Sequence, residues 1–256
     1  MTFTQKSTNP FFVFKQAFAC LIQNRKQFLN IAAVPLFLIG FSRLLQIIFP
    51  STGQPVFSFF TIIDYIFQVV FAVEWLRFLS NRRGLRSVLI PQFKRTYLTY
   101  GVLSLGLFFI NSLLISTVAS LLGSIIGFGV VSLVLFGLAT KFFYLFMFAR
   151  LSPAFVGAAT NKLEVIPTAW PKTHSYWPKL FGYLVLVQVV TGIIGAIGAA
   201  LIILPKASLS TLQPMLQNPI LTLQFMKSGM WFIQVVNYIG LALELYGIWF
   251  FNKTRS

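Results

Sequence analysis

Six apolar runs, at about 28–49, 57–79, 96–122, 124–148, 180–204 and 229–251, alternate with shorter polar stretches along the chain. Each exceeds the ~20 residues that a helix rising 1.5 Å per residue needs to cross a ~30 Å hydrocarbon core. The pattern predicts an all-α integral membrane protein: a single membrane domain, 1–256, with six transmembrane helices. Ahead of the first run, Phe11, Phe14, Phe18, Leu21 and Ile22 share one helical face, opposite Gln16, Gln23 and Lys26. Residues 1–27 therefore read as a retained amphipathic helix in the membrane interface, with Lys15 and Lys26 reaching headgroups. Pro35 is expected to kink the first spanning helix.

The links between runs have characters of their own. Residues 50–55 form an uncharged turn, and Asn81-Arg82-Arg83-Gly84 is a polar stop with a glycine suited to a helix C-cap. The third and fourth runs meet near Gly123 and Gly127 as a tight hairpin. Residues 150–179, the longest polar interval, are expected to be a cytoplasmic interfacial loop. There Ile166, Trp170, Thr173 and Trp177 share a helical face that Pro171 must break or bend. Stretches 11–27, 85–96 and 165–179 each mix apolar, aromatic and basic residues, and each precedes a pair of runs. Three repeats of interfacial helix plus helical hairpin are the arrangement this suggests. In the fifth run, Gly192, Ala196 and Ala200 are four apart, as are Gly195 and Ala199, giving a smooth face for helix packing.

Composition sharpens this picture. Hydrophobic residues make up 57% and charged ones 9%, with a mean hydropathy of +0.82; soluble domains carry about 25% charge. The net charge of +16 argues for membrane orientation rather than nucleic acid, because the bases sit in short links beside apolar runs. Sixteen Lys and Arg fall in the N-terminal segment, the 77–95 and 150–179 stretches and the tail, against Lys206 and Lys227 on the other side. That bias predicts cytoplasmic N- and C-termini, in a bacterial inner membrane. Arg82, Arg83, Trp170, Lys172, Trp177 and Lys179 are the candidate contacts to anionic lipid headgroups.

Five charges fall inside apolar runs: Arg43, Asp64, Glu74, Lys141 and Glu244. Depth suggests an Arg43–Asp64 pair near the outer ends, and Lys141 with Glu74 or Glu244 nearer the inner ends. Arg77, one turn on, is an alternative partner for Glu74. Such residues are expensive in hydrocarbon. They fix helix packing or line a path, with Gln68, Asn111 and Gln188 at mid-membrane depth. A cavity reaching Asp64, Lys141 or Glu244 would favour the path.

No catalytic motif appears. The single His174 lies at the cytoplasmic interface, far from Asp64, and with Glu164 it offers too few ligands for a metal. Neither a cofactor nor catalysis is expected, and Cys20 has no partner for a disulfide. Arg150-Leu-Ser-Pro-Ala154, followed by Ala169-Trp170 and Thr173, and Trp75-Leu-Arg77, resembles a group of proteobacterial inner-membrane proteins. The group includes the membrane domain of some glycerophosphoryl diester phosphodiesterases. The resemblance implies six membrane helices and brings no catalytic residues. The expectation is a non-enzymatic protein organising membrane or envelope through lipid or protein contacts, with a membrane-protein partner or a second copy among those contacts. A small transporter, or the membrane subunit of a separate enzyme, are the alternatives.

Overall fold

A computed structural model of the chain describes residues 9–48, 59–81, 95–126, 130–160, 166–203 and 230–254. They are almost entirely helical, without a strand among them. The helices are α1 (Pro10–Gln23), α2 (Arg25–Ile48), α3 (Phe59–Asn81), α4 (Arg95–Ile126), α5 (Val130–Thr160), α6 (Ile166–Lys172), α7 (Trp177–Ile203) and α8 (Met230–Lys253). Four are long and apolar enough to cross a membrane, over Arg95–Val118, Phe136–Thr160, Trp177–Gly198 and Phe232–Lys253. Arg82, Arg83, the uncharged turn, the 85–94 stretch, Gly127, Glu164 and the 204–229 loop lie outside the described residues.

Asn9 caps α1, its Oδ1 accepting from the Phe11 amide at 2.9 Å, and Pro10 opens the helix where no amide is needed. Asn24 closes it, and its Nδ2 donates to the Cys20 carbonyl at 2.7 Å. The chain then enters α2, which runs unbroken through the buried Pro35. The apolar face expected of α1 divides in two. Val13 and Ala17 are buried with Phe14 and Leu21 packed beside them, whereas Phe11, Phe18 and Ile22 point outward next to Lys15. The helix thus packs on α7 and α8 and still presents an apolar stripe.

The core gathers around α8, which packs against α7 most extensively and also against α3, α1 and α5. At its centre Trp75 of α3 is 1% exposed. Its ring stacks with Phe71 and meets Phe28 edge-on at 5.9 Å, and its Nε1 donates to the Ala242 carbonyl of α8 at 3.0 Å. Buried in this way, the indole satisfies its one donor. Toward the outside, α4 presents Leu98, Val102, Leu105 and Phe109, the surface of a helix facing hydrocarbon.

Two boundaries differ from the sequence expectation: the turn expected near Gly123 lies inside α4, which runs to Ile126, with α5 starting only at Val130, and the end of α5 is displaced further. The interval 150–179 was expected as a loop, yet α5 continues through Arg150 and Pro153 to Thr160. Proline removes one hydrogen bond from the turn behind it. Ser152, Pro153 and Ala154 are all buried against neighbouring helices, and that packing sustains the turn.

Candidate functional site

The five intramembrane charges sort into different environments. Glu74, 4% exposed, is held by its own helix and the next. Arg77 Nη1 donates to Glu74 Oε1 at 2.9 Å, and the Tyr97 hydroxyl donates to the same oxygen. Arg77 also donates to the Thr96 hydroxyl at 2.5 Å and, from Nε, to the Ala159 carbonyl at 3.1 Å. This closed network joins the ends of α3, α4 and α5. Lys141 is exposed, its Nζ 6.0 Å from the centre of the Tyr144 ring. Among the described residues it makes no ion pair with Glu74 or Glu244. Of the two acids that depth offers Lys141, Glu74 is satisfied by Arg77, and Lys141 acts on Glu244 electrostatically without a bond between them. The Arg43 side chain lies outside the described residues, and with it the expected Arg43–Asp64 pair.

Asp64 and Glu244 converge on one space. A cavity of about 790 Å³ lies between α3, α4, α5 and α8, and both carboxylates belong to its lining. Both are buried. From α3 come Ile62, Asp64, Tyr65, Gln68 and Ala72; from α4, Tyr100, Ser104 and Phe108; from α5, Tyr144, Phe148 and Phe155; from α8, Leu241 and Glu244. Glu244 accepts a hydrogen bond from the Gln188 amide of α7. The Tyr65 hydroxyl donates to the Gly101 carbonyl at 2.7 Å and is also bonded to Ser104 Oγ, fixing the α3–α4 side. Ile62, Ile66, Leu105 and Phe108 are lining residues that are also exposed, so the rim is apolar. The site is acidic and hydroxyl-rich inside, with an aliphatic and aromatic edge.

Of the groups the sequence pointed to, Gln68 reaches the chamber and Gln188 reaches its carboxylate. Tyr65, Tyr100, Ser104 and Tyr144 were not singled out. A signal existed for α4: Tyr97, Tyr100 and Ser104 recur at helical spacing within an apolar run. Among the described residues no three metal-binding side chains come together.

Arg150, Ser152, Trp170 and Thr173 meet at a second place, the joint between α5, α6 and α8. Arg150, 5% exposed, lies with its guanidinium 4.2 Å from the Trp170 ring centre and 6.0 Å from that of Trp177. Phe146 packs edge-on to both rings. The Thr173 hydroxyl donates to the Arg150 carbonyl at 3.2 Å. Ser152 accepts from Asn252 Nδ2 at 3.2 Å, and Asn252 in turn accepts from the Tyr176 hydroxyl at 2.7 Å. Pro171 does end the helix, since α6 stops at Lys172 and a turn leads to α7. The buried face of the elbow is Ala169, Thr173 and Tyr176, in place of the expected face through Trp170, while Lys172 and Lys179 are exposed.

The small residues of α7 also divide. Gly192, Ala196 and Ala200 are exposed, and a Cβ at Gly192 would meet nothing; the Ala199 side chain lies outside the described residues. Gly195 is buried, facing Val236 of α8 at 3.9 Å. The expected stripe through Gly192 is therefore not the α7–α8 contact. The contact is tight at Gly198, where an added methyl would overlap the ring of Phe232 of α8, and at Gly247, where it would overlap that of Tyr183.

Compared with known proteins, the chain matches no family model, no curated protein and no solved structure.

Proposed function

We propose that this chain is a multi-pass protein of the bacterial inner membrane, with six spans, both termini cytoplasmic and no catalysis of its own. In this reading it holds a small amphipathic solute in the chamber between α3, α4, α5 and α8. The observation that supports it is the convergence of Asp64 and Glu244 on about 790 Å³ lined by hydroxyls and rings. A chamber of this size suits a drug-sized molecule, and a site within the spans is where a transporter binds its substrate. Helices α2 and α3, at 24 and 23 residues, supply the fifth and sixth spans, each about 35 Å long. Helix α3 carries three charges, Asp64, Glu74 and Arg77, and two of them belong to the closed network. A second reading, membrane organisation through lipid contacts, is favoured by the elbow, where exposed Lys172 and Lys179 flank Trp170 and Trp177.

The test is whether small solutes reach the chamber. In a Cys20→Ala background, Ser104→Cys in membrane vesicles is expected to react with N-ethylmaleimide. Leu107→Cys, placed one turn on at a buried position (2% exposed), is expected to stay inert. A Ser104→Cys protein as unreactive as Leu107→Cys would remove the chamber reading.

A further inference from the structure

We infer that the chamber selects a lipophilic organic cation that arrives from the bilayer, with Glu244 as its counter-charge. The inference rests on the chamber reading above and names the ligand class. Glu244 is 7% exposed and its hydrogen-bond partner is the Gln188 side chain, a neutral amide. An amide orients a carboxylate without balancing its charge, and a buried charge needs a partner of opposite sign. Lys141, exposed on α5, acts on Glu244 only at a distance and forms no ion pair with it. Among the described lining residues two are acidic and none is basic, which excludes an anion as the preferred guest.

The walls decide which kind of cation. Tyr100 meets Phe155 at 5.3 Å, Phe155 meets Phe148 at 5.0 Å, and Phe148 stacks on Tyr144 at 6.1 Å. Four rings in continuous contact thus line the cavity that Glu244 enters. Aromatic faces attract organic cations, by up to about 2 kcal/mol where water is excluded. Among the described residues no three His, Cys, Asp or Glu side chains gather to hold a small metal ion instead. The exposed rim of Ile66, Leu105 and Phe108 gives the guest an apolar way in from lipid. The recognised chemistry is therefore a delocalised or ammonium-type charge inside a bulky apolar body.

Two probes of nearly the same shape and opposite charge test this: tetraphenylphosphonium and tetraphenylborate, measured by equilibrium dialysis against the full chain in lipid nanodiscs. Saturable binding of tetraphenylphosphonium alone is expected, weakened at least tenfold in Glu244→Gln. The comparison of probes on the unaltered protein decides the matter even if that variant does not fold. Equal binding of both ions, or a Glu244→Gln variant that binds tetraphenylphosphonium as the parent does, overturns the inference. If neither ion binds saturably while Ser104→Cys reacts, cation selection falls and the chamber stands. If Ser104→Cys is inert as well, both fall.

Discussion

The Arg77 guanidinium reaches acceptors on three helices: Glu74 on α3, Thr96 and Tyr97 on α4, and the Ala159 carbonyl on α5. Its planar fork supplies donors in several directions at once, whereas a lysine ammonium is a point charge that cannot span them. Arg77→Ala would leave Glu74 buried with the Tyr97 hydroxyl alone, and breaking a buried pair from one side costs about 3 kcal/mol. The expected order of thermal stability in detergent is parent, then Arg77→Lys, then Arg77→Ala. The double variant Glu74→Gln/Arg77→Met should lie above Arg77→Ala, because it removes both charges together. An Arg77→Ala protein that melts with the parent would show the network to be incidental. Part of this was legible in the sequence, since Glu74 and Arg77 are three apart on one helix. The contributions of Tyr97 and Ala159 were not, because they depend on which faces of α4 and α5 turn toward α3.

Among the elements, the α7–α8 pair shows why small-residue spacing marks a packing face only when the partner is known. The GIIGAIGAA sequence of α7 offers glycine and alanine on several sides of one helix. The helix turns Gly195 inward and leaves Gly192, Ala196 and Ala200 exposed. The close approaches are Gly198 against the ring of Phe232 and Gly247 of α8 against Tyr183, whose hydroxyl donates to the Leu243 carbonyl at 2.5 Å. The buried ring is pinned at its far end and cannot swing away. Gly247→Ala should therefore cost on the order of 1–3 kcal/mol through overpacking. Gly192→Ala should be neutral or slightly stabilising, since alanine is the better helix former and the added methyl meets nothing. Thermal unfolding of the two variants side by side checks this; a Gly192→Ala protein as damaged as Gly247→Ala would contradict the arrangement.

At the scale of the whole molecule, apolar run length marked the long helices to within a few residues except at the α4–α5 junction, where the run holds no polar break, and at the end of α5. There the polar sequence Arg150-Leu-Ser-Pro153 reads as an exit from the membrane. It stays helical because Trp170 and Trp177 cover the arginine and Asn252 bonds Ser152. The chamber was hidden for a similar reason: its lining comes from four helices, and no single stretch contains it. Orientation, by contrast, is written in the links, where sixteen bases oppose Lys206 and Lys227. The proposed orientation rests on that asymmetry, which sets a test that does not depend on the chamber. With Cys20→Ala as background, Lys253→Cys should be protected from a membrane-impermeant maleimide in intact cells and react once the membrane is permeabilised. Lys206→Cys should react from outside without permeabilisation. An odd number of spans between the two positions predicts this opposition, because α8 is then the last crossing and delivers Lys253 to the inner face. Labelling of both cysteines from the same side would mean that α8 does not cross, and the six-span arrangement would fail with it.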